Sequence, residues 1–244
     1  MKILYLLGLI CFYQMVLGSD APASLQKIKS LGGRVFYKKG KVLEVVRNGA
    51  SWEKDDLAFL TSFPHITDLS MEQSSASDAD MEVVAGLSKL EWLNLYKTKV
   101  GDKGAQHLSK NRSIQLLPIG STQVTDAGVV HLSNMQQLTY LGLRCNPITD
   151  VSAQHLAKLT NLEGLYLGET KVTDKSICQL SQLTLLNKLW LHDISITDKS
   201  IDHLAQLTSL QELHIYATNI SAKGAIRLQS ALPKCRVIHE VFPQ

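Results

Sequence analysis

Four histidines, His107, His131, His155 and His203, fall at multiples of 24 residues, and six aspartates, Asp78, Asp102, Asp126, Asp150, Asp174 and Asp198, keep the same interval. Rows of imidazole and carboxylate suggest metal chemistry. Each row, however, holds one member per repeat, and packed helices sit about 8–10 Å apart. That is too far for neighbours in a row to share one ion. Each aspartate also stands where an apolar helical pattern begins, so its carboxylate has an N-capping task. Calcium would need clustered oxygen ligands, which this spacing does not supply. His192, Asp193 and His214 lie nearer one another and could take up a metal ion opportunistically, but no metal or other cofactor is expected. The chain has no Gly-rich phosphate loop, no G-x-S-x-G elbow and no H-E-x-x-H pair. The sequence therefore reads as a non-enzyme.

The unit that must position these residues is clearest at Leu162–Leu185, LEGLYLGETKVTDKSICQLSQLTL. LEGLYL has apolar residues at positions one, four and six, which predicts a short strand with one buried face. Asp174 then precedes Ile177, Leu180 and Leu183, a helix start followed by one apolar stripe. Copies begin at Val42, Ile66, Leu90, Ile114, Leu138, Leu162, Leu186 and Leu210 without insertions. Across seven columns (positions 1, 4, 6, 11, 16, 19 and 22), 54 of 56 residues are apolar, Arg47 and Asn111 being the exceptions. Units this short bury their faces only when stacked, so residues 42–233 are expected to form an eight-repeat α/β solenoid. Parallel strands lie about 4.8 Å apart and helices about 8–10 Å, so the stack must curve with its sheet on the concave side.

Strand alternation then turns positions 2, 3, 5, 7 and 8 of each copy toward the concavity. Six of the twelve aromatic residues after position 18 fall there: Trp92, Tyr96, Tyr140, Tyr166, Trp190 and Tyr216. Tyr166, Trp190 and His214 share one column on successive strands, and His192 and Tyr216 share the next exposed one. Rigidly held Tyr and Trp are typical of binding hot spots. With Arg144 they form the expected partner-binding set, and the same rings could stack on sugars. The plainer alternative is that the rings merely stabilise one another across the sheet. Pro118 cannot donate to a ladder, so the sheet is expected to weaken around the fourth copy. At position nine Thr98, Thr122, Thr170 and Thr218, with Asn146, are expected to bond backbone in the turn that leaves the strand.

The L-x-x-L-x-L and T-x-V-T-D patterns over about residues 42–238 resemble leucine-rich repeat proteins of the 24-residue, ribonuclease-inhibitor-like helical type found in many bacterial proteins. The resemblance implies a right-handed α/β horseshoe and a protein-binding role. Lys110-Asn111-Arg112-Ser113 is also similar to a variant in bacterial effector repeats, which makes a secreted effector a further reading. The departures, Arg47 in a core column and Lys54 and Ala222 in place of the aspartate, fall in terminal copies, where stacks are atypical.

The ends read differently from the middle. Lys2 is followed by an apolar run from Ile3 to Leu17, with small Val16 and Gly18 before Ser19. Residues 1–18 are therefore expected to be a secretory signal peptide, too short in its apolar run for a membrane span. Residues 19–41 (a helix over Ser24–Leu31 and two strands) and 234–244, with a strand at Arg236–His239, are expected to cap the stack. Export to a secreted or periplasmic compartment follows, with no membrane insertion after cleavage. Cys145, Cys178 and Cys235 remain, an odd number without a C-x-x-C pair, and read as free thiols. A net charge of +3 over 244 residues gives no argument for nucleic acid. A protein partner, or else a glycan, is the expected ligand.

Overall fold

From the second repeat onward each repeat strand is only three residues long, and its middle residue is aliphatic. Leu69, Leu93, Leu117, Leu141, Leu165, Leu189 and Leu213 are each at most 1% exposed, while their strand neighbours face the other way. Burying one such side chain contributes roughly 1.5–3 kcal/mol, and the ladder repeats that gain at every step. The computed structural model describes residues 23–51 and 57–240. The expected signal segment, together with Trp52 and Lys54, lies outside the described residues.

Ten strands form one sheet in chain order: β1 (Arg34–Lys38), β2 (Lys41–Val46), β3 (Asp68–Ser70), β4 (Trp92–Asn94), β5 (Leu116–Pro118), β6 (Tyr140–Gly142), β7 (Gly164–Tyr166), β8 (Lys188–Trp190), β9 (Glu212–His214) and β10 (Arg236–Ile238). β1 and β2 make an antiparallel hairpin, and from β2 onward all pairs are parallel. The return path carries a 3-10 turn (Ala58–Ser62) in the first repeat and a helix in each of the other seven: α2 (Asp80–Ala85), α3 (Asp102–Leu108), α4 (Asp126–Leu132), α5 (Ala153–Leu156), α6 (Asp174–Leu180), α7 (Ile201–Leu204) and α8 (Ala222–Ala231). The result is a solenoid with the sheet on its concave side and helices outside, as the spacing predicts. α1 (Ala23–Ser30) and the β1–β2 hairpin close one end of the core, and β10 extends the other. The core runs unbroken from Ile28 to Cys235.

The two polar intruders in apolar columns are provided for. Asn111 is 3% exposed; its Nδ2 donates to the carbonyls of Ala85 and Leu87, and its Oδ1 accepts from Ser113 and the Ile114 N–H. Arg47 is buried with its Nε donating to the Leu31 carbonyl of the terminal cap, 2.9 Å away. In the last copy the column slips by one residue: Ala231 is exposed and Leu232 takes the core site.

The aspartate row departs from the sequence expectation. The N-cap of α4, α6 and the short 3-10 turns before α5 and α7 is threonine (Thr125, Thr173, Thr149, Thr197), whose hydroxyl accepts a first-turn N–H. The following aspartate instead reaches into the next repeat. Asp126 accepts from the Thr149 N–H, the Thr149 hydroxyl and the Ser152 hydroxyl. Asp150 does the same with Thr173 and Ser176, and Asp174 with Thr197 and Ser200. Where the following repeat has glycine in place of that serine, there is no room for more: a Cβ on Gly128 would lie 2.5 Å from Asp102 Oδ1. Burial alone would raise the Asp126, Asp150 and Asp174 carboxyls, but these hydrogen bonds outweigh it and hold them below the usual range. The row is an inter-repeat staple, and each helix start is satisfied from two copies.

Position nine behaves as expected: Thr98, Thr122, Thr170 and Thr218 each donate to a carbonyl three residues back. Position eight does not. Gly49, Gln73, Lys97, Ser121, Cys145, Glu169, Asp193 and Ala217 all have φ between 52° and 66°. The chain turns left-handed there in every copy, so these side chains leave at the strand edge instead of lining the face. Pro118 weakens the ladder as predicted, since β4 and β5 pair only at Trp92↔Leu116 while β5 and β6 pair at three positions.

Candidate binding face

With the leucines turned inward, positions three, five and seven build the open face of the sheet. Large rings fit there because glycines on adjoining strands leave slots for them. Tyr140 on β6 lies over Gly164 on β7, where a Cβ would come within 2.7 Å of its ring. Leaning across that slot, Tyr140 meets the edge of Trp190 two strands away, with centroids 6.4 Å apart. Trp190 packs on Tyr166 at 4.6 Å and on His214 at 5.6 Å. His192 stacks nearly parallel to Tyr216 at 4.7 Å and tilts against Tyr166 at 5.4 Å. His214 and Tyr216 complete the set edge to face at 6.0 Å.

Six of the nine residues singled out by sequence are thus joined in one continuous ribbon on β6–β9 and the turns that leave them. Tyr140, Tyr166, Trp190, His214 and Tyr216 are half-buried, each covered on one side by its neighbours. His192 corrects the expectation of an exposed column. It is 2% exposed, because Gly168 opens a slot in which the imidazole lies. Burial first, then the nearby Arg144 charge, lower its proton affinity. Trp92 stands apart, on β4 between Asp68 and Leu116.

Tyr96 and Arg144 belong to a second feature that the sequence did not disclose. Tyr96, Tyr140 and Tyr166 wall a hollow of about 210 Å³, floored by Pro118, Gly120 and Gly142, with Arg144 at its edge. The signal was present in the run of proline and glycines at open-face positions of β5 and β6. Arg144 is tied to Glu169 by a charged hydrogen bond, and the Cys145 thiol donates to the other Glu169 oxygen at 2.9 Å. The Cys145 and Arg144 bonds hold the Glu169 carboxyl below its usual range, and burial together with Glu169 raises the Cys145 thiol.

A cluster of metal-binding types does occur here, but not the one the sequence suggested. Glu169, His192 and Asp193 bring ligand atoms within 4.8 Å of one another, and His214 is not among them. Glu169 is already engaged by Arg144, so a cation would have to displace that guanidinium. The histidine row of the helices is half-buried rather than freely exposed. Cys145, Cys178 and Cys235 are free thiols; burial pushes Cys235 up to about 11.

A family profile described as Leucine Rich repeat matches residues 134–157. Solved structures carry the likeness over most of the chain. An internalin C2 from Listeria monocytogenes is 24% identical over 89% of this chain and 92% of its own, with a TM-score of 0.66. The fold is that of leucine-rich repeat proteins. Another Listeria internalin (inlF) is 23% identical over 77% of this chain, with a TM-score of 0.59, and the match spans 58% of the internalin's length. The Arabidopsis receptor kinase HAESA ectodomain, solved in complex with an N-terminally extended IDA peptide hormone ligand, is 18% identical over 84% of this chain and 35% of its own, with a TM-score of 0.60. No curated protein sequence matches the chain. Among the described residues no helix is long and apolar enough to cross a membrane.

Proposed function

We propose that this protein is an exported leucine-rich repeat scaffold that binds another protein through the aromatic part of its concave face. The observation that carries the reading is the ribbon itself. Every leucine of the ladder is covered, yet Tyr140, Tyr166, Trp190 and Tyr216 stay only half-buried, held against one another on the open face. Rings held this way bring large contact area with little ordering entropy left to lose on binding. Eight repeat strands span about 34 Å, enough for a footprint of several hundred Å². The peptide-bound receptor ectodomain, similar in fold, supports a polypeptide as the ligand class.

Residues 1–18 act as the export signal in this reading, and the chain works outside the cytoplasm. No catalytic role is assigned to the face. Cross-linking the protein in its native compartment and identifying the captured species tests the proposal. A protein captured by the native chain, and lost from a folded Trp190→Ala/Tyr216→Ala variant, supports it. Capture of a glycan alone, or capture unaffected by the double substitution, contradicts it.

A further inference from the structure

The rings of the open face bring hydrogen-bond donors as well as surface. Among the described residues, the hydroxyls of Tyr96, Tyr140, Tyr166 and Tyr216 and the Trp190 indole N–H have no partner in the chain, and none of these atoms is sealed from solvent. Arg144, at the edge of the tyrosine hollow, gives Nε and Nη2 to Glu169 and leaves Nη1 unused. Acceptors beside them are already spent. Glu169 is taken by Arg144 and the Cys145 thiol, and Glu212 lies 2.6 Å from His214 Nε2. The ribbon and the hollow therefore offer π faces and free O–H and N–H groups, with the carboxylates next to them occupied.

That imbalance discriminates by what a ligand's backbone carries. An ordinary extended segment brings one N–H per residue, each of which must give up water against a face short of acceptors. A glycan brings hydroxyls, whose protons meet the same shortage. Proline carries a carbonyl and no N–H, and a polyproline II helix leaves its carbonyls without internal partners. Its pyrrolidine rings pack on aromatic side chains, and its conformation is set before binding. The hollow matches one such ring: at about 210 Å³ it is smaller than the roughly 300–1,000 Å³ of small-molecule sites. Pro118, Gly120 and Gly142 give it a floor without polar side chains.

The periods agree too. From β6, whose Gly142 floors the hollow, to β8, which carries Trp190, is two strand steps, about 9.6 Å. One polyproline II turn is three residues, about 9.3 Å. Residues three apart on such a helix share one side, so a segment crossing the strands can meet both places at once.

We propose that the concave face binds a proline-rich segment in the polyproline II conformation, with one prolyl ring in the Tyr96–Tyr140–Tyr166 hollow and another, three residues along, against Trp190. This rests on the concave face being the binding face, and it specifies the partner's chemistry. The tyrosine hydroxyls, the indole N–H and Arg144 Nη1 donate to the segment's carbonyls.

The test selects a random library of peptides about twelve residues long against the full protein. Enriched peptides carry prolines three apart, and their affinity is nearly the same in about 0.15 M and about 1 M salt. A folded Tyr96→Phe/Tyr140→Phe/Tyr166→Phe variant keeps the rings, loses the hydroxyls and binds them about tenfold or more weakly. Equal binding by that variant overturns the proposal. Enriched peptides without the proline spacing overturn it as well; if they are lost from Trp190→Ala/Tyr216→Ala, the binding face itself stands. Absence of any enriched peptide overturns both.

Discussion

The helical side and the sheet side of this solenoid use the same 24-residue period in opposite ways. Outside the sheet, Asp126, Asp150 and Asp174 make the same three bonds to the next repeat, rung after rung. On the open face no column repeats: position seven alone reads Asn48, Glu72, Tyr96, Gly120, Arg144, Gly168, His192, Tyr216. Periodic positions are those that stacking needs. The positions released from the period are free to be shaped by a ligand, and here they collect rings and glycine slots.

The comparison can be broken by asking where substitutions are felt. Leu165→Ala, in the buried ladder, should cost about 2–5 kcal/mol, read by chemical denaturation; a cost near zero would mean that the rungs do not carry stability. Asp150→Ala leaves the Thr173 N–H and the Thr173 and Ser176 hydroxyls without their acceptor. It should cost about 1–3 kcal/mol while leaving ligand binding intact. The staple also predicts a pH dependence. Asp126, Asp150 and Asp174 have folded pKa values below the unfolded one, near 3.9. Their contribution is therefore present above about pH 4 and is lost as pH falls through the lower folded values. Asp150→Ala should flatten that acid limb in thermal melts. Gly164→Ala is the mildest: its Cβ crowds the Tyr140 ring, so the Tyr140–Trp190 edge contact is lost for about 0.5–1.5 kcal/mol. Near-UV circular dichroism should change while the melting temperature moves little.

How much could be read in advance follows the same division. The strand and helix columns and the Pro118 weakness were legible because eight aligned copies average out local ambiguity. The aspartate partner was not, since a repeat pattern fixes a residue's place within a copy but not which copy it touches. The left-handed turn at position eight was hidden because Gly49 is the only glycine in that column; stacking imposes the conformation on Gln73, Lys97 and Cys145 alike. The open-face residues were found by alternation, which states direction but not depth. His192 was therefore placed on the right face and wrongly exposed, because its burial depends on Gly168 in the preceding copy.

Two photo-cross-linking positions test the account most directly. Lys188 adjoins the ribbon on the open face, and Ile226, 68% exposed on α8, lies on the helical side. With a photoreactive residue at each in turn, the partner should be captured from position 188 and not from position 226. Capture from 226 alone would contradict the assignment of function to the concave face.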